Sequence, residues 1–137
     1  MERPGSCPAG ARGFTLLELM IVVIVVAVLT ILAVNSYEFA MVKSRRAAAK
    51  SCVQEGAQFM ERFYTTHLTY VDAALPACSS DVTRYYTVGF DGTPDATTFT
   101  VQGVPTSSQN DPLCGTLSVN QAGAKDATGT GGPSACW

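Results

Sequence analysis

From Phe14 to Val34 the chain runs for 21 residues with a single charge, Glu18. At about 1.5 Å of rise per residue, a helix of that length crosses the roughly 30 Å hydrocarbon core of a bilayer. The segment can span a membrane. Glu18 lies inside the apolar run rather than in its flank, and a carboxylate there costs about 2 kcal/mol or more unless it is paired. A cut after Gly13 would make the α-amine of Phe14 available as that partner.

The residues around the acid form a recognisable string, Gly13-Phe14-Thr15-Leu16-Leu17-Glu18, followed by apolar residues to Val34. This resembles the precursors of type IV pilins, in which a short polar leader ends in Gly before Phe-Thr-Leu-[Ile/Leu]-Glu and an apolar helix. The resemblance implies that a prepilin peptidase cuts between Gly13 and Phe14 and methylates the new amine of Phe14. It also implies that Glu18 neutralises the N-terminus of a neighbouring subunit during filament assembly. The expected organisation is a leader at 1–13, a transmembrane and filament-core helix at 14–34, and a pilin head at 35–137. The head would be periplasmic while the chain is held in the inner membrane, and extracellular in the pilus. Expected partners are other pilin subunits, the prepilin peptidase, and the inner membrane with its pilus assembly machinery. A plain signal anchor with a stray acid gives no reason for Gly, Phe and Glu at this spacing.

Composition limits the part of the chain beyond the helix. With 137 residues, 47% of them hydrophobic and many of those in the spanning run, one small domain with a thin core remains. Such domains need staples, and cysteine supplies them. Cys7 falls in the leader, which leaves Cys52, Cys78, Cys114 and Cys136. Four cysteines allow three pairings. Pairing Cys52 with Cys78 and Cys114 with Cys136 closes two local loops, each worth about 3 kcal/mol in the chain-entropy account. No Cys-x-x-Cys is present and His67 is the lone imidazole, so neither a metal nor another cofactor is expected. The four cysteines point to an oxidising compartment. Loop charge points the other way: Arg3 and Arg12 precede the helix, whereas Lys43, Arg45, Arg46 and Lys50 come after it. The cleavage motif and the cysteines outweigh that count.

No Pro or Gly interrupts residues 14–55, and Ala47-Ala48-Ala49 favours helix, so the helix is expected to continue past the membrane and end between about 64 and 68. Relatives of the resembled family often carry Gly and Pro within or just after the apolar run. Here Ala27 and Asn35 stand instead, which predicts a more continuous helix. Beyond Asn35, Cys52, Gly56, Phe59 and Phe63, with Val53, Met60 and His67 beside them, mark a core face; Lys50, Gln54, Glu61 and Arg62 mark the opposite one. Residues 69–81 read as loop. Residues 82–90, 97–104 and 115–120 read as three strands, the first two joined by a hairpin turn at 91–95. The Gly-, Ala- and Thr-rich tail at 121–134 cannot bury much and would be disordered unless a Cys114–Cys136 bridge pinned it. The expected architecture is α+β, the type IV pilin fold: a long N-terminal helix packed on a small antiparallel sheet with a disulfide-closed C-terminal loop. Further matches to PilE-type and ComP-like minor pilins are Ser44-Arg45-Arg46, Glu61-Arg62-Phe63-Tyr64, Thr69-Tyr70 and Asp111-Pro112-Leu113-Cys114-Gly115-Thr116-Leu117.

Catalysis has little to stand on. His67, Ser79, Ser80 and Asp81 could be written as a triad, but a lone His near a helix end is an ordinary surface residue, and Asp91 and Asp95 sit where turns favour Asp. A structural subunit of a type IV pilus, of the minor kind, is the leading reading. A DNA-uptake role of the ComP type is weaker, because the mature chain has seven Lys/Arg against ten Asp/Glu and the basic cluster at 43–50 reads as a solvated or subunit-contacting face. The third reading is a type II secretion pseudopilin, which shares the leader and helix.

Overall fold

The computed structural model describes residues 13–137, so leader residues 1–12, Cys7 among them, lie outside it. The chain separates into two compact units, divided between Tyr37 and Glu38. Helix α1 is Leu16–His67, and its N-terminal portion carries an apolar surface that is exposed throughout.

The second unit contains the C-terminal part of α1, a short helix α2 (Ser80–Thr83), strands β1 (Tyr86–Phe90), β2 (Thr100–Pro105), β3 (Leu117–Asn120) and β4 (Lys125–Ala127), and helix α3 (Gly132–Cys136). The strands form one antiparallel sheet in the order β1-β2-β3-β4. Alternation puts Tyr86, Val101, Leu117, Val119 and Ala127 in the core. Against them α1 presents Ala49, Val53 and Met60, all fully buried, with buried Gly56 between. The expected face is rotated slightly: Phe59 and Phe63 are half-buried and His67 is exposed, while Arg46 and Ala49 join the buried stripe. Spacings of three and four fit both stripes, and only the sheet decides between them.

Small residues let the layers approach. A Cβ on Gly103 would lie 3.1 Å from Val53 Cγ2, and one on Gly56 would lie 3.3 Å from Val101 Cγ1. Each glycine receives a valine from the other layer.

Several details differ from the sequence-based expectation, among them the third strand, which starts at Leu117 rather than 115. Residues 80–83 are helical and strand β1 starts only at Tyr86, since the Ser79 carbonyl accepts from both Val82 and Thr83 N–H. Strand β2 begins at Thr100 because Asp95 holds the preceding residues: its carboxylate accepts from Thr97 N, Thr98 N and Thr98 Oγ1. Those donors pull the Asp95 carboxyl below its ordinary pKa, Thr97 N–H first. The tail contributes a fourth strand, β4, and a short helix, α3. Its backbone lies beside 112–116, with Thr128 N donating to Thr116 O, Gly129 N to Cys114 O, Thr130 N to Pro112 O and Gly131 N to Leu113 O. A side chain on Gly129 would collide with the Leu113 carbonyl, so the pairing requires glycine there.

Two disulfides fasten these parts. Cys52–Cys78 joins α1 to the loop after it with Cα atoms 5.9 Å apart, and Cys114–Cys136 closes the C-terminal region at 5.5 Å. Trp137 packs on the core, and its indole N–H donates to Asp126 O at 2.7 Å.

Gly103→Val should lower the stability of the head by about 1–3 kcal/mol, because the added methyls meet Val53 across a filled interface. Thermal unfolding would show the loss, and Val53→Ala in the same chain should recover part of it.

Candidate functional site

At the N-terminal end, Thr15 acts as the cap of α1. Its Oγ1 accepts the Glu18 N–H at 3.2 Å and its carbonyl accepts Leu19 N–H at 3.2 Å. Thr-x-x-Glu is a helix-start signature, and a carboxylate in the first turn is favoured by the helix dipole. The cap fixes Leu16 as the first helical residue and puts Glu18 in the first turn of α1, leaving Gly13 and Phe14 outside it. Phe14 is 79% exposed, and no residue of 14–34 is buried. An apolar helix end with a single acid in its first turn is suited to lipid or to other such helices, and gives no chemistry for catalysis.

In the head, the basic cluster at 43–50 is not the uniformly solvated face its sequence suggests. Arg46 is buried and forms a two-point pair with Asp111, Nε to Oδ2 at 2.6 Å and Nη2 to Oδ1 at 2.7 Å. The same carboxylate accepts Tyr86 Oη–H at 3.1 Å and Cys114 N–H at 3.3 Å. Gln109 Nε2 donates to Val42 O at 3.1 Å. Hydrogen bonding to Asp111 raises the Arg46 pKa further above its already high value. Burial, reinforced by the Asp111 charge, pushes the Tyr86 phenol up to about 12. Lys50 Nζ reaches the main-chain oxygen of Trp137 at 3.3 Å. Arg45 lies half-buried with its guanidinium carbon 3.9 Å from the centroid of the Tyr85 ring, and Arg84 approaches the same ring at 5.8 Å. Local residue order displays the cluster but carries no sign that its members have separate fates; Asp111, singled out only within the family-like 111–117 string, stands 65 residues away with nothing to link it to Arg46.

The residues that could be written as a triad do not meet. His67 stacks on Phe63 at 4.0 Å and its Nδ1 lies near Thr66 Oγ1 and Phe63 O, whereas Ser79, Ser80 and Asp81 are at α2. Among the described residues no group of three or more His, Cys, Asp or Glu is placed to hold a metal. An open groove of about 420 Å³ between α1 and the β3–β4 turn is lined by Gln54, Gln58, Glu61, Phe99, Asn120 and Lys125 among others. Glu61 there is engaged by Tyr70 Oη–H at 3.1 Å, and burial together with that bond raises the Tyr70 phenol.

A long helix with an exposed apolar start, joined to a stapled four-stranded head, defines a type IV pilin. A type IV pilin from Shewanella oneidensis is 32% identical to this chain, covering 70% of it and 97% of its own length, with a TM-score of 0.55. The non-core minor pilin PilV of Neisseria meningitidis shares the fold at 24% identity, covering 66% of this chain and 90% of its own, with a TM-score of 0.54. The prokaryotic N-terminal methylation motif matches residues 9–34. Residues 35–118 match the family described as type IV minor pilin ComP, DNA uptake sequence receptor, and the chain belongs to that family. No curated protein matches it. As a type IV minor pilin, the protein assembles with other pilin subunits in a pilus.

Asp111→Ala should destabilise the head by about 3–5 kcal/mol, since it leaves the Arg46 charge buried without a partner. Urea titration measures it, and Arg46→Met with Asp111→Leu should restore most of the loss. Tyr86 predicts the alkaline behaviour: its folded pKa is above the unfolded value, so its contribution is complete below pH 10 and is lost as pH rises to about 12. Tyr86→Phe should flatten the stability profile across that window.

Proposed function

We propose that this minor pilin is made as a prepilin, cut between Gly13 and Phe14, methylated at Phe14, and held in the inner membrane by 14–34 with its head at 35–137 in the periplasm. Its incorporation into the filament then depends on Glu18 meeting the Phe14 amine of a neighbouring copy. The observation that supports this reading is the Thr15 cap, with Glu18 in the first turn of a helix end that has no buried residue. Prepilin peptidase, the inner membrane and the assembly machinery are the partners this course requires. The α-amine and the carboxylate carry opposite charges, so pairing removes two uncompensated charges from an apolar bundle.

A second reading concerns the head. The family match over residues 35–118 favours binding of DNA, despite the acidic overall balance. DNA affinity depends on local phosphate contacts as well as net charge. Under this reading the pilin presents a basic spot on an otherwise acidic head.

Replacing Gly13 with Phe should block processing, seen as a precursor that does not shift on a gel. Glu18→Ala should be cut and inserted but should incorporate into filaments at least tenfold less well; normal levels in sheared pili would overturn the pairing role. Mass analysis of the N-terminus from membranes tests cleavage and methylation together.

A further inference from the structure

We infer that Arg45, Tyr85 and Arg84 form a contact site for the phosphodiester backbone of DNA, a proposal that rests on the DNA-binding reading above. Arg45 comes from α1, while Arg84 and Tyr85 lead into β1, so the site exists only in the folded head. The Arg45 guanidinium carbon sits 3.9 Å from the Tyr85 ring centroid and that of Arg84 sits 5.8 Å from it. The strand side is fixed by Thr106, whose N–H donates to Tyr85 O at 2.9 Å and whose hydroxyl reaches Arg84 O at 3.1 Å and Tyr85 O at 3.2 Å.

Three other cations of the head are already engaged. Arg46 is engaged by Asp111, Lys50 by the Trp137 main-chain oxygen, and Lys125 lies over the Trp137 ring at 5.1 Å. Neither Arg45 nor Arg84 is ion-paired among the described residues. Asp81, one turn earlier in α2, forms no pair with Arg84. Arg45 Nε is buried without a hydrogen-bond partner in the protein. That buried Nε cannot meet a ligand, but the outer Nη donors of a guanidinium lying on an aromatic ring stay free, and such a planar pair matches the oxygens of a phosphate. Arg45 on the ring and the exposed Arg84 near it put two cations beside one tyrosine, an arrangement suited to an anion. All three residues fall inside the span that matches the family, which favours DNA over a lipid headgroup as the source of the phosphate.

The test uses the full chain in neutral detergent and a fluorescently labelled duplex of about 20 base pairs, with anisotropy read between about 50 and 200 mM NaCl, the range over which phosphate contacts dominate the salt response. Arg45→Gln with Arg84→Gln should weaken binding at least tenfold at the lower salt. It should also reduce the slope of log K against log salt by about 1–2, the loss of one or two phosphate contacts. Arg45→Lys with Arg84→Lys should keep the slope but bind at least threefold more weakly, because the charge remains without the planar fork. Arg62→Gln should change neither. If the glutamine pair misfolds, the lysine pair carries the test, and unchanged affinity there overturns the site. Wild-type binding that the glutamine pair leaves intact overturns this site while sparing the DNA reading. No salt-sensitive binding by the wild type overturns both. Loss of binding to phosphatidylglycerol vesicles with DNA binding unaffected would make the cluster a lipid contact and overturn the proposal.

Discussion

The Asp111 carboxylate is the point on which the head depends. Four donors converge on it, from Arg46 of α1, Tyr86 of β1 and the backbone of Cys114 at the disulfide. Helix, sheet and C-terminal loop therefore share one acceptor. A charge this deeply buried is tolerated only when its lone pairs are filled, and here the two-point arginine fills most of them. The arrangement adds geometry that apolar contacts alone would not: it fixes which turn of α1 faces the segment leading to Cys114.

Around that anchor the core is thin, and the fold compensates with covalent and backbone ties. Cys52–Cys78 holds the irregular loop after α1, and Cys114–Cys136 holds the return of the tail. The segment between β3 and α3 buries only Ala127 of its side chains, yet its backbone is paired along 112–116. Polar, glycine-rich chain can be ordered this way because each main-chain donor brought into the ladder avoids being left unpaired near the core. The close approaches at Gly103 and Gly129 follow the same logic, with side chains removed where backbone or helix must come near.

The apolar run, the cysteine pairing and the strand-like stretches were legible because each rests on local pattern. The missed features are those for which local pattern is ambiguous. Residues Lys125-Asp126-Ala127 have no strand composition, and they form β4 only because β3 offers an edge and the disulfide brings the tail to it. Arg46 read as one of four surface cations because its partner is distant in sequence. Of the face expected from hydrophobicity, Val53, Gly56 and Met60 are buried and Phe59 packs on the core half-buried, but His67 is exposed because the sheet faces the stripe that runs back to Ala49 and Arg46.

Residue order alone was enough for the division of labour: an apolar helix with one acid, then a small stapled head, since length, hydropathy and spacing act over a turn or two of chain. Folding of the head had to settle which arginine is buried, which lies on Tyr85, and where the tail finds its strand partner. Those outcomes depend on contacts between segments tens of residues apart, whose energies exist only once the sheet has formed.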